Sequence, residues 1–188
     1  MINGINSREM ILEILLEIEE GEHSHVAIRN ALSKYQFLPK QDRAFITRVC
    51  EGTLEYRIQI DYIINSFSKV TVDKMKPAIR EILRSAVYQL KYMDSVPDSA
   101  VCNEAVKLAQ RKGFYNLKPF VNGVLRTAAR QMNELEYPSR EENLVRYLSV
   151  HYSMPEELVN RWLEDYGEEI TEKMLADFLR EKPVTIRC

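Results

Sequence analysis

PAIREILRSAVYQLKYMDSVPDSAVCNEAVKLAQRKGFYNLKPFVNGVLRTAAR, residues 77–130, decides the fold of this 188-residue chain. Ile79, Ile82, Leu83, Ala86, Val87, Leu90 and Met93 recur at the spacing that lays one apolar stripe along a helix of period 3.6. Pro77 suits the first turn of that helix, where its missing N–H would find no intrahelical partner. A second helix is predicted to start near Pro97 and Asp98 and to carry Ala100, Val101, Ala105, Val106 and Leu108. A third carries Phe120, Val121, Val124, Leu125 and Ala128.

Upstream, Ser7 can cap a helix bearing Ile11, Leu12, Ile14, Leu15, Leu16 and Ile18, with Glu9, Glu13, Glu17 and Glu20 in one narrow polar stripe and Gly21 as its stop. So wide an apolar surface implies helices on more than one side. Ser24 can cap a second helix that buries Val26, Ile28, Ala31, Leu32 and Tyr35 and stops before Pro39. Asp42 opens a long helical pattern through Phe45, Val49, Tyr56, Ile60, Ile63 and Phe67. Gly52, in its middle, costs about 1 kcal/mol against Ala and marks a close helix crossing or a break.

Before residue 183 no segment alternates with period 2, so the predicted fold class is all-α. Tyr137, Pro138 and Ser139 mark a boundary, dividing the chain into residues 1–136 and 137–188. Beyond it Ser139 can cap a helix with Glu142 completing a capping box. Further helices are expected from Pro155 to Tyr166, ended by Gly167, and from Glu169 to Arg180. Val184 to Cys188 reads as the start of a strand without a partner, which suggests a chain cut from a longer protein.

Composition narrows the function classes. A 45% hydrophobic content supports a core, while no apolar run approaches a membrane span and the N-terminus is no secretory signal, so a cytoplasmic location and no membrane partner are expected. Cys50, Cys102 and Cys188 have no metal-ligand spacing. There is no glycine-rich phosphate loop, zinc motif or nucleophile elbow, and His23, His25 and His151 have no evident partners. No catalytic, metal or cofactor residue is therefore assigned to this chain.

The net charge of −2 hides a segregation: residues 69–130 hold twelve Lys/Arg against five Asp/Glu, and both flanks are acidic. On the helix from Pro77, Arg80, Arg84, Tyr88 and Lys91 fall opposite Ile82, Val87 and Leu90. Cations that neutralise phosphates and a Tyr that can stack on an unpaired base together suit RNA; the alternative is a solvated face with one half-buried Tyr. Arg111, Lys112, Arg126 and Arg130 extend the patch if the helices lie side by side. Asn103 and Asn122, set among apolar residues, are expected to be buried amides tying helix to helix.

The runs DRAFITRVCEGTLEYRIQID (42–61), AIREILRSAVYQLKYMDSVPDSAVCNEAVKLA (78–109) and FVNGVLRTAAR (120–130) resemble the NusB-type RNA-binding domain. More specifically they resemble the form at the N-terminus of the ribosomal RNA small-subunit methyltransferase B family, also called Sun or Fmu, which makes 5-methylcytosine. LSVHYSMPEELVNRWLEDYG (148–167) and KPVTIRC (182–188) are similar to the segment that links that domain to the methyltransferase. The resemblance implies a bundle of about seven helices, a ribosomal RNA partner, and an S-adenosylmethionine-dependent catalytic domain beyond Cys188. In that family one cysteine attacks C6 of cytosine and another helps release the product. None of Cys50, Cys102 and Cys188 stands in the Pro-Cys or Thr-Cys-Ser setting of those residues. Stand-alone NusB proteins tend to have an arginine-rich N-terminus, whereas the first helix here offers only Arg8 among glutamates. Transcription antitermination and a protein-interaction bundle are the alternative functions.

Overall fold

The computed structural model describes residues 6–180, which form α-helices and short 3-10 turns with no strand among them. The chain divides into two compact units, Met1–Leu135 and Glu136–Cys188. Among the described residues the first holds seven α-helices: α1 (Ser7–Glu19), α2 (Ser24–Lys34), α3 (Lys40–Glu55), α4 (Arg57–Phe67), α5 (Pro77–Tyr92), α6 (Asp98–Arg111) and α7 (Lys118–Gln131).

The axis of the first unit is α5, which packs against α1, α3, α4, α6 and α7. Its apolar stripe meets Ile11, Leu12, Ile14 and Leu15 of α1, Ile46 and Val49 of α3, Ile60, Ile63 and Ile64 of α4, and Val121 and Leu125 of α7 in one core. Burial does not stop at the stripe. Every residue from Glu81 to Gln89 is buried, polar ones included, as expected of a helix enclosed on all sides rather than laid on a surface. The broad apolar face of α1 has the same cause, since α1 packs against α2, α3, α5 and α6.

Gly52 marks the crossing of α3 with α5. A Cβ there would lie 2.1–2.3 Å from Cζ, Cε2 and Oη of Tyr88, so only the missing side chain lets the helices approach this closely. The break in the long pattern falls four residues later, at Tyr56, between α3 and α4.

Two caps differ from expectation. Asn6, not Ser7, caps α1, its side chain accepting from the Arg8 backbone N–H at 2.9 Å, while Ser7 Oγ faces Asp42 Oδ1 at 3.5 Å. In α2 Ser24 is the first helical residue and His23 stands at the cap without a side-chain bond. Gly21 does close α1, with φ of 112° and its N–H bonded to the Ile18 carbonyl.

The second unit contains α8 (Leu144–Tyr152) and α9 (Glu156–Phe178), the latter broken at Gly167, whose φ of 75° and ψ of 173° are non-helical. Leu148, Val159 and Leu175 form its core, with Trp162, Leu163, Tyr147 and Leu144 packed around them. Thr171 Oγ1 donates to the Trp162 carbonyl across the kink at 2.9 Å, and Arg140 bridges Glu168 and Glu172 on α9. Ser139 does not cap a helix. Its Oγ bonds Glu141 at 2.7 Å, and Asn143 caps α8 by accepting from the Arg146 N–H at 2.9 Å. The expected strand from Val184 to Cys188 lies outside the described residues.

Gly52→Ala should force α3 away from Tyr88 and lower the unfolding free energy by about 1–3 kcal/mol, the usual cost of overpacking. Adding Tyr88→Ala should make the pair much less than additive in denaturant melts, because the clash is with that ring. Full additivity would place the strain elsewhere.

Candidate nucleic-acid interface

The polar face of α5 is built from Arg80, Arg84, Tyr88 and Lys91, and the structure turns most of it inward. Arg84, 9% exposed, donates from Nε and Nη2 to the two carboxylate oxygens of Asp61 at 2.7 and 2.6 Å, and from Nη1 to Glu81 Oε1 at 2.6 Å. Burial opposes the Arg84 charge, yet its bonds to Asp61, ahead of those to Glu81, hold its guanidinium above the usual value. Burial likewise pushes the Glu81 carboxyl up, against the pull of Arg84. Arg80 pairs with Glu19 and donates from Nη1 to the carbonyls of Val72 and Met75 at 3.1 and 3.4 Å.

Tyr88 is buried over Gly52 and stacks with Tyr56, which itself stacks on Tyr92 at 4.2 Å between ring centroids. The Lys91 ammonium lies 5.7 Å from the centroid of the Tyr92 ring. The expectation of a solvent-facing basic stripe is thus corrected: Arg80, Arg84 and Tyr88 are tied into the bundle. Helical periodicity marks a face as polar, but it cannot distinguish water from a carboxylate on a neighbouring helix, and Asp61 of α4 and Glu19 of α1 supply that carboxylate.

The remaining cations divide. Lys112 is held by Glu9 and Glu13 of α1 at 2.9 and 3.1 Å, whereas Arg111 is exposed. Arg126 and Arg130 are exposed on α7, their Nε groups donating to Asn122 Oδ1 at 2.9 Å and to the Arg126 carbonyl at 3.2 Å. Arg126 lies within electrostatic reach of Cys102 on α6, about 14 Å along that helix from Arg111 at 1.5 Å per residue. Asn122 is therefore half-buried within its own helix and Asn103 is exposed, so neither is the buried inter-helix amide expected.

Lys118, Asn122, Arg126 and Arg130 repeat at i, i+4 along one row of α7, a helix that contains no Asp or Glu. Lys118 and Asn122 were absent from the sequence-based patch, although the spacing and the missing carboxylates were readable in residues 118–131. On α1, Arg8 lies 5.3 Å over the Phe45 ring, and burial lowers its pKa.

The buried cysteines are poor nucleophiles. Burial, then Glu51, pushes the Cys50 thiol up to about 12, and burial raises Cys102 as well, so both stay protonated at neutral pH. Among the described residues no group of three or more His, Cys, Asp or Glu could hold a metal, and no helix is long and apolar enough to cross a membrane.

A sequence model described as the NusB family matches residues 5–130. Over 182 residues the chain is 34% identical to a probable ribosomal RNA small subunit methyltransferase B of Bacillus subtilis, taking in 96% of this chain and 40% of that protein. Over 120 residues it is 34% identical to the transcription antitermination protein NusB of Bacillus velezensis, taking in 63% of this chain and 89% of that protein. A chain in the crystal structure of antitermination factors NusB and NusE in complex with double-stranded RNA shares the fold, with a TM-score of 0.61 at 20% identity over 66% of this chain and 93% of that one. The chain spans about two-fifths of the length of the methyltransferase relatives it matches.

Arg84→Ala should leave Asp61 and Glu81 without their shared cation and lower stability by about 3–5 kcal/mol in denaturant unfolding. Arg126→Ala should change it by no more than about 0.5 kcal/mol. Equal, small effects would return Arg84 to the solvated surface.

Proposed function

Because the chain belongs to the NusB family, with residues 5–130 matched, we propose that its first unit binds RNA through the outer face of α7 and that the whole chain is the substrate-binding part of a ribosomal RNA cytosine-C5 methyltransferase. The observation that carries this reading is the reach of the likenesses. Similarity to the methyltransferase of Bacillus subtilis takes in 96% of the chain and so includes the second unit, whereas similarity to the antitermination protein takes in 63%. Antitermination accounts for the first unit only.

On this reading Lys118, Arg126 and Arg130 neutralise successive phosphates and release their counterions, with no carboxylate on α7 to oppose them. Phosphate contacts of this kind set register and orientation without reading bases, which suits a module that presents RNA to a catalytic site elsewhere. S-adenosylmethionine would supply the methyl group, and the residues present do not fit it. Of the glycines of the described residues, Gly21 and Gly113 stand singly at the ends of α1 and α6, Gly167 at the kink of α9, Gly52 under Tyr88 and Gly123 within α7, so none builds a cofactor loop. The cofactor and the reacting cysteines belong to a further domain of such a protein, in the cytoplasm where its ribosomal RNA substrate is made.

Arg126→Ala with Arg130→Ala should weaken binding of a ribosomal RNA hairpin and reduce the magnitude of the slope of log affinity against log salt by about 1.4–1.8, with the thermal midpoint almost unchanged. Unaltered affinity and slope would sink the α7 assignment. The chain by itself should transfer no methyl group from S-adenosylmethionine to unmodified ribosomal RNA; measured transfer would overturn the division of labour proposed here.

A further inference from the structure

From His23 to Gln41 the chain has no Asp or Glu and carries Arg29, Lys34 and Lys40, although residues 1–68 as a whole are acidic. This stretch is α2, its connection to α3 and the first two residues of α3, and all three cations are exposed. Lys34 Nζ lies 5.4 Å from the centroid of the Tyr35 ring, and Tyr35 meets Phe37 edge to face at 6.1 Å and 83°. Phe37 is 55% exposed. On α3, Lys40, Ala44 and Arg48 continue the surface as an exposed i, i+4 row. Asp42, the first carboxylate after the stretch, is engaged by Ser7 Oγ. Glu13 and Glu17 border the surface on one side, where they share a cavity of about 150 Å³ with Lys34 and Tyr35, and Glu51 follows Arg48 on α3.

A single exposed Phe on a folded protein needs no explanation. Here the ring is braced by Tyr35, which Lys34 covers, and the stretch that carries it holds three exposed cations and no carboxylate. An acidic peptide would satisfy the cations and leave the ring in water. A single-stranded nucleic acid supplies both complements, phosphates for the cations and a flat base for the ring. We propose that the α2 surface and its connection to α3 hold a single-stranded segment of the RNA, one base stacked on Phe37 and the flanking phosphates on Lys34 and Lys40. Glu13 and Glu17 repel the strand from the α1 side and direct it over Phe37 toward the Lys40–Arg48 row. The proposal rests on the RNA-binding reading of the first unit but uses a surface other than α7.

The test measures fluorescence anisotropy of the full chain with two probes, a short oligouridylate and a ribosomal RNA hairpin. Phe37→Ala should weaken oligouridylate binding about tenfold with the salt slope unchanged, and Phe37→Trp should retain binding. Lys34→Ala with Lys40→Ala should reduce the magnitude of the slope by about 1.4. All three variants should melt as the parent does, since the altered side chains are exposed. If these variants bind oligouridylate like the parent while Arg126→Ala with Arg130→Ala loses the hairpin, this inference fails and the α7 reading stands. Loss on the lysine substitutions alone, or a parent chain that binds the hairpin but not oligouridylate, overturns the stacked base and with it the proposal. A parent chain that binds neither probe overturns both.

Discussion

The bond between the Arg84 guanidinium and the carboxylates of Asp61 and Glu81 is the condition under which the first unit can exist as it does. A helix enclosed on every side cannot keep its polar residues in water, and an unpaired buried charge costs several kcal/mol. With Asp61 on α4 and Glu81 one turn before Arg84 on α5, all three charged groups are bonded, and α4 is held to the axis by an interaction specific in geometry as well as sign. Gly52 and Tyr88 impose the complementary steric condition at the crossing with α3, so the position of α5 is defined by a charge on one neighbour and a missing side chain on another.

That central placement determines where chemistry can occur. Because α5 is enclosed by the core, Arg80 and Arg84 are tied to carboxylates and carbonyls of the bundle, and the net positive charge of residues 69–130 overstates the charge of the surface. Exposed cations lie elsewhere, some of them on α7, α2 and the start of α3. On α7 Lys118, Arg126 and Arg130 form a row free of carboxylates, and Arg29, Lys34 and Lys40 stand in the stretch that carries the exposed Phe37 ring. Phosphate neutralisation and base stacking are separable contributions to RNA binding, and as proposed, α7 supplies the first alone while the Phe37 surface combines the two.

The second unit has a small core, Leu148, Val159 and Leu175, and relies on a polar clasp in which Arg140 joins Glu168 and Glu172. Arg140, ahead of Tyr152, holds the Glu172 carboxyl below the ordinary range, so that clasp stays charged where an unpaired carboxylate would begin to protonate. The second unit lies within the 96% of the chain that is similar to the Bacillus subtilis methyltransferase, and that separates the functional readings more sharply than any feature of the bundle.

The amino-acid sequence by itself determined the helices and their apolar faces, because 3.6-residue periodicity, Pro77 at a first turn and Gly21 at a stop act within a few residues of one another. It also determined the family, through the ordered runs from Asp42 to Arg130, and it marked Gly52 as a close crossing or a break. Which polar faces meet water was decided only by the tertiary structure. Arg84 and Arg126 are equally basic in the sequence, yet Asp61, 23 residues away, pairs with the first in the interior while the second is exposed. The same holds for Asn103 and Asn122, whose apolar neighbours in sequence face the core while the amides do not. Local pattern records the period of a helix; the partner that neutralises or covers a side chain comes from a distant segment, and its position exists only once the chain has folded.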